Sequence, residues 1–231
     1  MIEVQGLAKY FGRFAALRDL RLAIPEGQFI ALFGRNGAGK TTFLRILAGL
    51  TRPSAGAVRI DAARPGSSSA RGGIGYLSHN TALYLDLTAL ENLRFYARLH
   101  DLDAGDAELE ERIARVGLAG RAREPVRNYS RGMQQRLAIA RAFLHDPGIL
   151  LLDEPFTGLD REGTEFLGSY LREARGRGKT CLMAIHDAPL GYALADRLVV
   201  IEKGVVALDL PRESASLDEF QDRYRALTEE R

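Results

Sequence analysis

The chain contains 231 residues, of which 46% are apolar and 27% are charged, and its formal net charge is +2. This length is enough for one α/β domain with a subdomain but not for two full domains, and the composition is that of an ordinary globular protein. A net charge so close to zero gives no reason to expect a nucleic-acid partner, and the four histidines and the single Cys181 form neither a metal-ligand cluster nor an internal disulfide.

The N-terminal part of the chain reads as two strands followed by a strand–loop–helix unit. The segments IEVQGLAKY and RDLRLAIPEG alternate between apolar and polar residues, which predicts half-exposed strands. Residues 28–34, QFIALFG, form a nearly continuous apolar run, which is typical of a strand buried on both faces. Apolar residues recur at helical spacing in TTFLRILAGL, and Gly49 is the expected end of that helix.

No segment is a candidate for secretion or for crossing a membrane. Charges interrupt MIEVQGLAKYFG before an apolar core develops, so this stretch is not a signal peptide. No run approaches the ~20 apolar residues that span a bilayer. We therefore expect a soluble protein that contacts a membrane only through a partner, and the lone cysteine suits a reducing cytosol.

The rest of the chain alternates between loops, helices and strands. Residues 61–73 have the composition of a surface loop, and GIGYLSHN follows as a strand. From Leu87 to about Asp146 the chain is predicted to be almost wholly helical. Strand character returns in ILLLDEP and TCLMAIH, with the helix REGTEFLGSYLREARGRG between them, and again in RLVVIEKG, which leads to VVALDL. The polar tail from Pro211 has helical spacing.

Strands that alternate with helices predict a mostly parallel sheet with helices on its faces, and a helical insertion of about 60 residues splits this βαβ core. The predicted division is a discontinuous core of residues 1–84 and 146–210, a helical subdomain at 85–145 and a short helical tail at 211–231. There is no internal repeat.

The strongest local signal is GRNGAGKTT, from Gly34 to Thr42. It fits the pattern G-x-x-x-x-G-K-[ST] between a buried strand and a helix, which predicts a P-loop NTPase core and disfavours a purely structural glycine turn. The glycines let the backbone turn tightly and aim its N–H groups at phosphate oxygens, and the helix N-terminus adds partial positive charge. Lys40 is expected to reach the β- and γ-phosphates, and the Thr41 hydroxyl to bind Mg²⁺.

Two further strands end in residues that suit phosphate chemistry. ILLLDEP places two carboxylates at a strand end, where ligands collect in open α/β sheets. We expect Asp153 to hold Mg²⁺ through its water shell and Glu154 to polarise an attacking water, whereas the alternative is a solvated turn. His186 ends another apolar strand. Alone it reads as a hydrogen-bonded structural residue, but beside a nucleotide it is suited to contact a γ-phosphate and orient the water.

The segment NYSRGMQQR, which begins at Asn128, places a polar cluster at a predicted helix start. Ser130 and Gly132 offer a hydroxyl, backbone N–H groups and a helix dipole to an anion. The P-loop already supplies a full phosphate cradle, so one nucleotide does not need both. Two interpretations stay open: Ser130 is a simple N-cap, or the cluster serves a nucleotide held by another subunit.

The order and spacing of GRNGAGKTT, YSRGMQQR, ILLLDEP, TGLD and IHD resemble those of the nucleotide-binding subunit of ABC transporters, over roughly residues 2–210. The set is more specific than a P-loop alone, which many kinases and GTPases share. The resemblance implies binding of ATP and Mg²⁺. It also implies a homodimer in which two ATP molecules are sandwiched, each between the P-loop of one copy and the signature segment of the other.

The resemblance also implies roles for individual residues. Glu154 takes the position of the catalytic glutamate and His186 that of the switch histidine, with Lys40 as a further catalytic group, and Asp160 of TGLD is expected at the dimer interface. The implied metal ligands are Thr41 and Asp153. The implied nucleotide-binding residues are Phe11, Gly34, Arg35, Asn36, Gly37, Ala38, Gly39, Lys40, Thr41 and Thr42.

The match is less close at the adenine and signature positions. Phe11 best fits the aromatic residue that stacks on adenine in the family, and Tyr10 is the second choice. The family signature is usually LSGGQ, and only its Ser and second Gly are kept. Its five positions are taken here by Tyr129, Ser130, Arg131, Gly132 and Met133, of which the last four are the expected contacts to an ATP held by the second copy.

The segment that usually reads GYLPQ is GYLSHN here, so His79 replaces a glutamine that normally reaches Mg²⁺. Imidazole is a poorer Mg²⁺ ligand than an oxygen, which puts metal binding by residue 79 in doubt, and Asn80 offers an amide one position along. We expect hydrolysis to survive with altered coupling. This histidine followed by LTALENLRFYA is similar to the ATP-binding subunit of the haem exporters of cytochrome c maturation.

The expected function is therefore that of an ATPase on the cytoplasmic face of a membrane. It powers transport through a separate permease, with export of haem or another small molecule or lipid, and LYLDLTALENL is the expected docking segment. A soluble ABC ATPase acting on DNA or ribosomes is disfavoured, because those typically carry a long coiled coil or two linked ATPase domains. The altered signature raises a third possibility, a weakly hydrolysing regulatory module, against which the intact P-loop and acidic pair argue.

Overall fold

The strands of the chain form two sheets. The computed structural model describes residues 1–61, 63–67, 72–78 and 80–229. Within this described part the strands are Ile2–Phe11 (β1), Phe14–Ile24 (β2), Phe29–Phe33 (β3), Ala55–Ile60 (β4), Ile74–Leu77 (β5), Ile149–Asp153 (β6), Thr180–Ala184 (β7), Arg197–Glu202 (β8) and Val205–Pro211 (β9). The first sheet is antiparallel with order β2-β1-β4, and the second has the order β5-β6-β7-β3-β8-β9.

The six-stranded sheet is parallel except for its last pair, β8 and β9. Every residue of β3, β6 and β7 is buried, which explains why these strands read as unbroken apolar runs. Because these three strands are neighbours and parallel, their carboxyl ends meet at one edge. The predicted fold class, a mostly parallel sheet with antiparallel N-terminal strands and helices, is confirmed.

Helices cover both faces of the parallel sheet. They are Lys40–Leu47 (α1), Ala89–Leu99 (α2), Asp106–Ile113 (α3), Arg131–Ala142 (α4), Arg161–Gly176 (α5), Ala188–Leu194 (α6) and Leu217–Glu229 (α7). Helix α1 and the antiparallel sheet share one apolar core with one face, and helices α4 to α7 pack on the other face. Among the helices of the described residues, none combines the length and apolarity needed to cross a bilayer.

The interval expected to be almost wholly helical is interrupted. Helix α2 ends at Leu99 with His100 as its C-cap, and the residue after the cap, Asp101, has a left-handed φ of 54°. A π-helical turn, Ala114–Leu118, follows α3 and contains Gly117 with φ 74°, and a 3-10 turn covers Val126–Asn128. These left-handed residues end the helices because they break the repeating i→i−4 hydrogen bonds. Strand β4 and helix α6 were not predicted.

Helices α2, α3 and α4 enclose an apolar core of their own. The loop before α2 is fixed by Asn92, whose side chain is fully buried. Its Oδ1 accepts from the backbone N–H of Tyr84 at 2.9 Å, and its Nδ2 donates to the carbonyls of Tyr84 and Thr88, both at 2.9 Å. The bonds hold residues 84–88 against the helix that follows. The predicted subdomain boundaries at 84/85 and 145/146 stay a prediction.

Candidate nucleotide and hydrolysis site

The P-loop segment, Gly34 to Thr42, leaves β3 at the carboxyl edge of the sheet and runs into the first turn of α1. Gly34 has φ 145°, and a Cβ there would lie 2.1 Å from the carbonyl oxygen of Ile201. Gly39 has φ 113°, and a Cβ there would lie 2.6 Å from the carbonyl oxygen of Ala16. Glycine is therefore required at both positions for steric as well as conformational reasons.

Lys40 is the first residue of α1 and is buried. Its Nζ donates to the carbonyl of Gly34 at 2.5 Å and to that of Arg35 at 3.3 Å. Burial lowers the pKa of its ammonium, whereas the negative charges of Glu154 and Asp153 raise that pKa in part. The lysine is thus held inside its own loop, close to both carboxylates.

The next residue of the loop meets the end of β6. The Thr41 hydroxyl donates to Asp153 Oδ1 at 3.0 Å, and Asp153 is only 2% exposed. A hydroxyl and a carboxylate oxygen at this distance are hard ligands of the kind that Mg²⁺ prefers, so the residues present fit this ion. Among the described residues, no group of three or more His, Cys, Asp or Glu forms a metal cluster.

Glu154 follows β6 directly and adopts a left-handed φ of 54°. Its backbone N–H donates to the carbonyl of Ala184 on β7, at 3.0 Å. Burial raises the pKa of its carboxyl to about 7; the nearby Lys40 opposes this rise and Asp153 adds to it. A carboxyl with a pKa close to neutrality is suited to accept a proton from water.

His186 faces this carboxyl from the end of β7. Its Nε2 lies 2.9 Å from Glu154 Oε1, although this buried oxygen makes no well-aligned hydrogen bond. Burial and the charge of Lys40 lower the pKa of the imidazole, against the effect of Asp153. A neutral imidazole beside a carboxyl leaves one ring nitrogen free to orient a water or a phosphate oxygen.

A cavity of about 450 Å³ joins these groups. Its lining combines the P-loop, both acidic residues and His186 with two exposed rings of the β1–β2 hairpin, Phe11 and Phe14. These rings are paired across the hairpin, whereas Tyr10 lies outside the cavity. The lining residues are Phe11, Phe14, Ala16, Arg35, Asn36, Gly37, Ala38, Gly39, Lys40, Thr41, Thr42, Asp153, Glu154, Thr157 and His186.

The signature segment faces a different cavity, of about 370 Å³. Ser130 is the N-cap of α4, and its hydroxyl oxygen accepts from the backbone N–H of Met133 at 3.3 Å. Ser130, Gly132 and Met133 line this second cavity together with Asp160. The structure therefore brings these predicted residues together, at a place separate from the P-loop of the same chain.

Arg131 departs from the other signature residues. Its side chain passes over Gly158, at which a Cβ would lie 3.9 Å from its Cγ and Nε. It lines a third cavity, of about 520 Å³, together with Glu154, Thr157 and Asn80. His79 lies outside the described residues.

Asp160 is the N-cap of α5 and accepts from the backbone N–H of Gly163 at 2.9 Å. It also accepts from the guanidinium of Arg136 at 2.5 Å. The bond from Arg136 and the bond from Gly163 both lower the pKa of the Asp160 carboxyl. The Arg136 side chain is only 9% exposed and also lies 3.4 Å from Glu162. Arg136, like Phe14 and Thr157, was missed from the sequence. The available signal was an arginine directly before the apolar residues LAIA of α4.

Comparison with known proteins agrees with this site. The family model described as "ABC transporter" matches residues 17–157. The chain belongs to the ABC transporter ATP-binding family. The family is one of ATPases, so ATP is the nucleotide of this site.

Relatives within the family serve both directions of transport. The chain is 37% identical to "Aliphatic sulfonates import ATP-binding protein SsuB 2" of Pseudomonas aeruginosa (strain UCBPP-PA14), over 92% of this chain and 76% of that protein. It is also 37% identical to "Nod factor export ATP-binding protein I" of Rhizobium johnstonii (strain DSM 114642 / LMG 32736 / 3841), over 88% of this chain and 67% of that protein. The family is therefore shown, whereas the direction of transport is not a family property.

Among solved structures, the chain superposes on the "Dimeric structure of a post-hydrolysis state of the ATP-binding cassette MJ0796 bound to ADP and Pi" with a TM-score of 0.84. The sequences are 27% identical, and the match covers 92% of this chain and 99% of that one. This likeness supports the ATPase assignment on the basis of the whole fold.

We expect Phe11→Ala to weaken ATP binding, because the ring is exposed over the cavity in a place where a purine face would stack. Base–aromatic stacking contributes about 1–3 kcal/mol, so the KM for ATP should rise at least about fivefold. Tyr10→Ala is the matched control and should change the KM little. Steady-state hydrolysis measures both, and a larger effect for Tyr10→Ala would transfer the adenine contact to that residue.

The raised pKa of Glu154 also predicts a pH-dependent stability. Its folded pKa of about 7 exceeds the unfolded value of 4.5, so folding favours the protonated form, and stability is lost as pH rises from the unfolded value through the folded one. Glu154→Gln should therefore stabilise the nucleotide-free protein at pH 8 and much less at pH 5. Because the carboxyl is partly solvated, we expect on the order of 1 kcal/mol, or about 2–4 °C in Tm.

Thermal unfolding at the two pH values measures this difference. Glu26→Gln changes the same charge at an exposed position and serves as the control. Equal Tm shifts for the two variants at pH 8 would contradict the burial of the Glu154 charge.

Proposed function

We propose that this chain hydrolyses ATP as a homodimer to power transport through a separate membrane permease, on the cytoplasmic face of the membrane. The observation that supports the hydrolytic part is the convergence of Lys40, Glu154 and His186 on one cavity with the Thr41–Asp153 pair. Export of haem or of another small molecule or lipid is the cargo class that we propose, on the strength of the haem-exporter resemblance.

The proposed reaction uses these residues in separate roles. Glu154 accepts a proton from a water while the water oxygen forms a bond to the γ-phosphorus. The bond between the γ-phosphorus and the β–γ bridging oxygen breaks, which releases ADP and phosphate. His186 orients that water, and Lys40 leaves its loop carbonyls to pair with the phosphates. Thr41 and Asp153 would hold Mg²⁺, which would supply positive charge to neutralise the phosphate oxygens.

The separate position of the signature segment supports the homodimer. Ser130, Gly132 and Met133 share a cavity with Asp160 rather than with the P-loop of their own chain. Helix α4 has no acidic residue in its own first turn, so no carboxylate within that turn offsets the positive end of the helix dipole. A triphosphate held by a second copy would complete this surface.

An exposed aromatic patch supports the permease. Tyr84, Phe95 and Leu99 are 49%, 41% and 65% exposed, and the Tyr84 and Phe95 rings pack edge to face with centroids 5.0 Å apart. Leu85 of the same segment also lines the cavity that contains Glu154. The segment thus joins an apolar surface to the catalytic carboxyl, which suits a membrane partner that senses hydrolysis.

The dimer is tested with Glu154→Gln, which retains ATP but should not activate the water. With Mg-ATP this variant should elute as a dimer, and without nucleotide as a monomer, in size-exclusion chromatography with light scattering. Adding Ser130→Asp keeps an N-cap but places a negative charge toward the partner's triphosphate, so it should bind ATP as a monomer. A dimer that forms equally well with Ser130→Asp would refute a role for the signature segment in trans.

The permease contact is tested with a photo-crosslinking amino acid at position 95 of the full chain in its host cells. We expect adducts with a polytopic membrane protein, and none from the exposed Val205 on β9. Phe95→Glu should abolish association with membranes and leave the ATPase activity of the purified chain within about twofold, because it lies outside the hydrolysis cavity. Adducts with soluble proteins or nucleic acid alone would favour a soluble ABC ATPase.

A further inference from the structure

The C-terminal helix α7 packs behind the strand that leads into the P-loop. Phe220 is fully buried, and its ring centroid lies 4.8 Å from that of Phe33, the last residue of β3. Tyr224, one turn later, has its ring centroid 5.9 Å from the same ring. The four-residue spacing places both aromatic side chains on one face of the helix, so α7 covers the residue directly before Gly34.

The end of the same helix is capped by the P-loop itself. The guanidinium of Arg35 donates to the carbonyl of Thr228 at 3.0 Å. Carbonyls in a last helical turn lack intrahelical partners and carry partial negative charge, so an arginine there is favourable. The backbone of Gly34 lowers the pKa of the Tyr224 hydroxyl, against the rise that burial causes.

Arg35 connects this helix to the catalytic lysine. While its side chain holds α7, its backbone carbonyl accepts from Lys40 Nζ at 3.3 Å and from the N–H of Ala38 at 3.1 Å. A shift of the Arg35 backbone would therefore move the groups that hold Lys40 before nucleotide binds.

Helix α7 is in turn fixed by α6, which follows His186. A Cβ at Gly191 of α6 would lie 2.6 Å from Phe33 Cζ, so the Phe33 ring lies between α6 and α7. The Tyr192 hydroxyl donates to the carbonyl of Ala215, just before α7, at 2.9 Å. The C-terminal helix thus rests on a rigid element rather than on a free surface.

We propose that α7 positions the P-loop for the triphosphate, and that Arg35 is the positioning residue through which it acts. Fraying of the last turn of α7 lets the Arg35 backbone move, so the P-loop binds ATP less tightly. The hydrolytic step depends on Glu154 and His186, which follow strands β6 and β7 and stay in place, whereas Lys40 exchanges its loop carbonyls for the phosphates once ATP is bound. The effect should therefore fall on the KM for ATP and not on kcat.

Two changes in the full chain test this. Arg35→Ala removes the cap, and Ala226→Pro disrupts the last turn of α7 at an exposed position. Each should raise the KM for ATP about three- to tenfold, as expected for the loss of one typical intramolecular hydrogen bond, with kcat within about twofold. The double variant should be no worse than either single one, because both break the same contact.

Ala226→Gln keeps the helix and Arg225→Ala removes an exposed charge from it, so both should leave the KM unchanged. If Ala226→Pro lowers the Tm sharply, Ala226→Gly frays the same turn more gently and carries the same expectation. A normal KM for the helix variants, or effects that multiply in the double variant, would show that Arg35 contacts the nucleotide directly and overturn the proposal. Because KM and ATP affinity are measured on the purified chain, failure here is distinct from failure of the transport proposal.

Discussion

The register of strand β7 sets the geometry on which the rest of the site depends. Ala184, its last residue, pairs with Leu32 of β3 on one side and with Asp153 of β6 on the other. Three chain segments therefore leave the sheet at the same height, and each carries a group that the proposed reaction uses: the P-loop, Glu154 and His186. A slip of one residue in either pair would turn these side chains to the opposite face of the sheet. The dense apolar packing of the three strands thus serves the chemistry by excluding such a slip.

Burial at this edge produces the electrostatics of the site. It lowers the pKa of Lys40 and raises that of Glu154, and each charge partly offsets the shift of the other. In the site without nucleotide, the charges of Lys40 and Glu154 therefore offset each other, and the Lys40 ammonium is held by loop carbonyls. A polyanionic triphosphate changes this balance, because it offers Lys40 stronger partners than two carbonyl oxygens. Release of the lysine from the loop and binding of the phosphates are then the same event, which links the conformation of the P-loop to the nucleotide.

The parallel core and the P-loop were predictable because buried strands leave unbroken apolar runs and the loop has a fixed glycine pattern. Strand β4 was missed because its residues are largely exposed, and α6 because seven residues with a proline and two small side chains carry little helical periodicity. Phe14 and Thr157 join the cavity only through folding: Phe14 pairs with Phe11 across a hairpin, and Thr157 follows the turn after β6. A motif indicates the chemistry of one short segment, whereas Phe14 and Thr157 reach the P-loop cavity only because the fold brings distant segments together.

The arginine at position 131 of the altered signature lies along a neighbouring turn. It replaces a residue without a side chain in the family pattern, and it passes over Gly158, at which an added Cβ would be in ordinary contact with it at 3.9 Å. Arg131 thereby points away from Ser130 and Gly132 and toward the cavity of Glu154. The surface that would face a second copy keeps its hydroxyl, its small glycine and its open helix N-terminus. The added cation therefore lies beside the turn that carries Asp160, outside the cavity that Ser130 and Gly132 line.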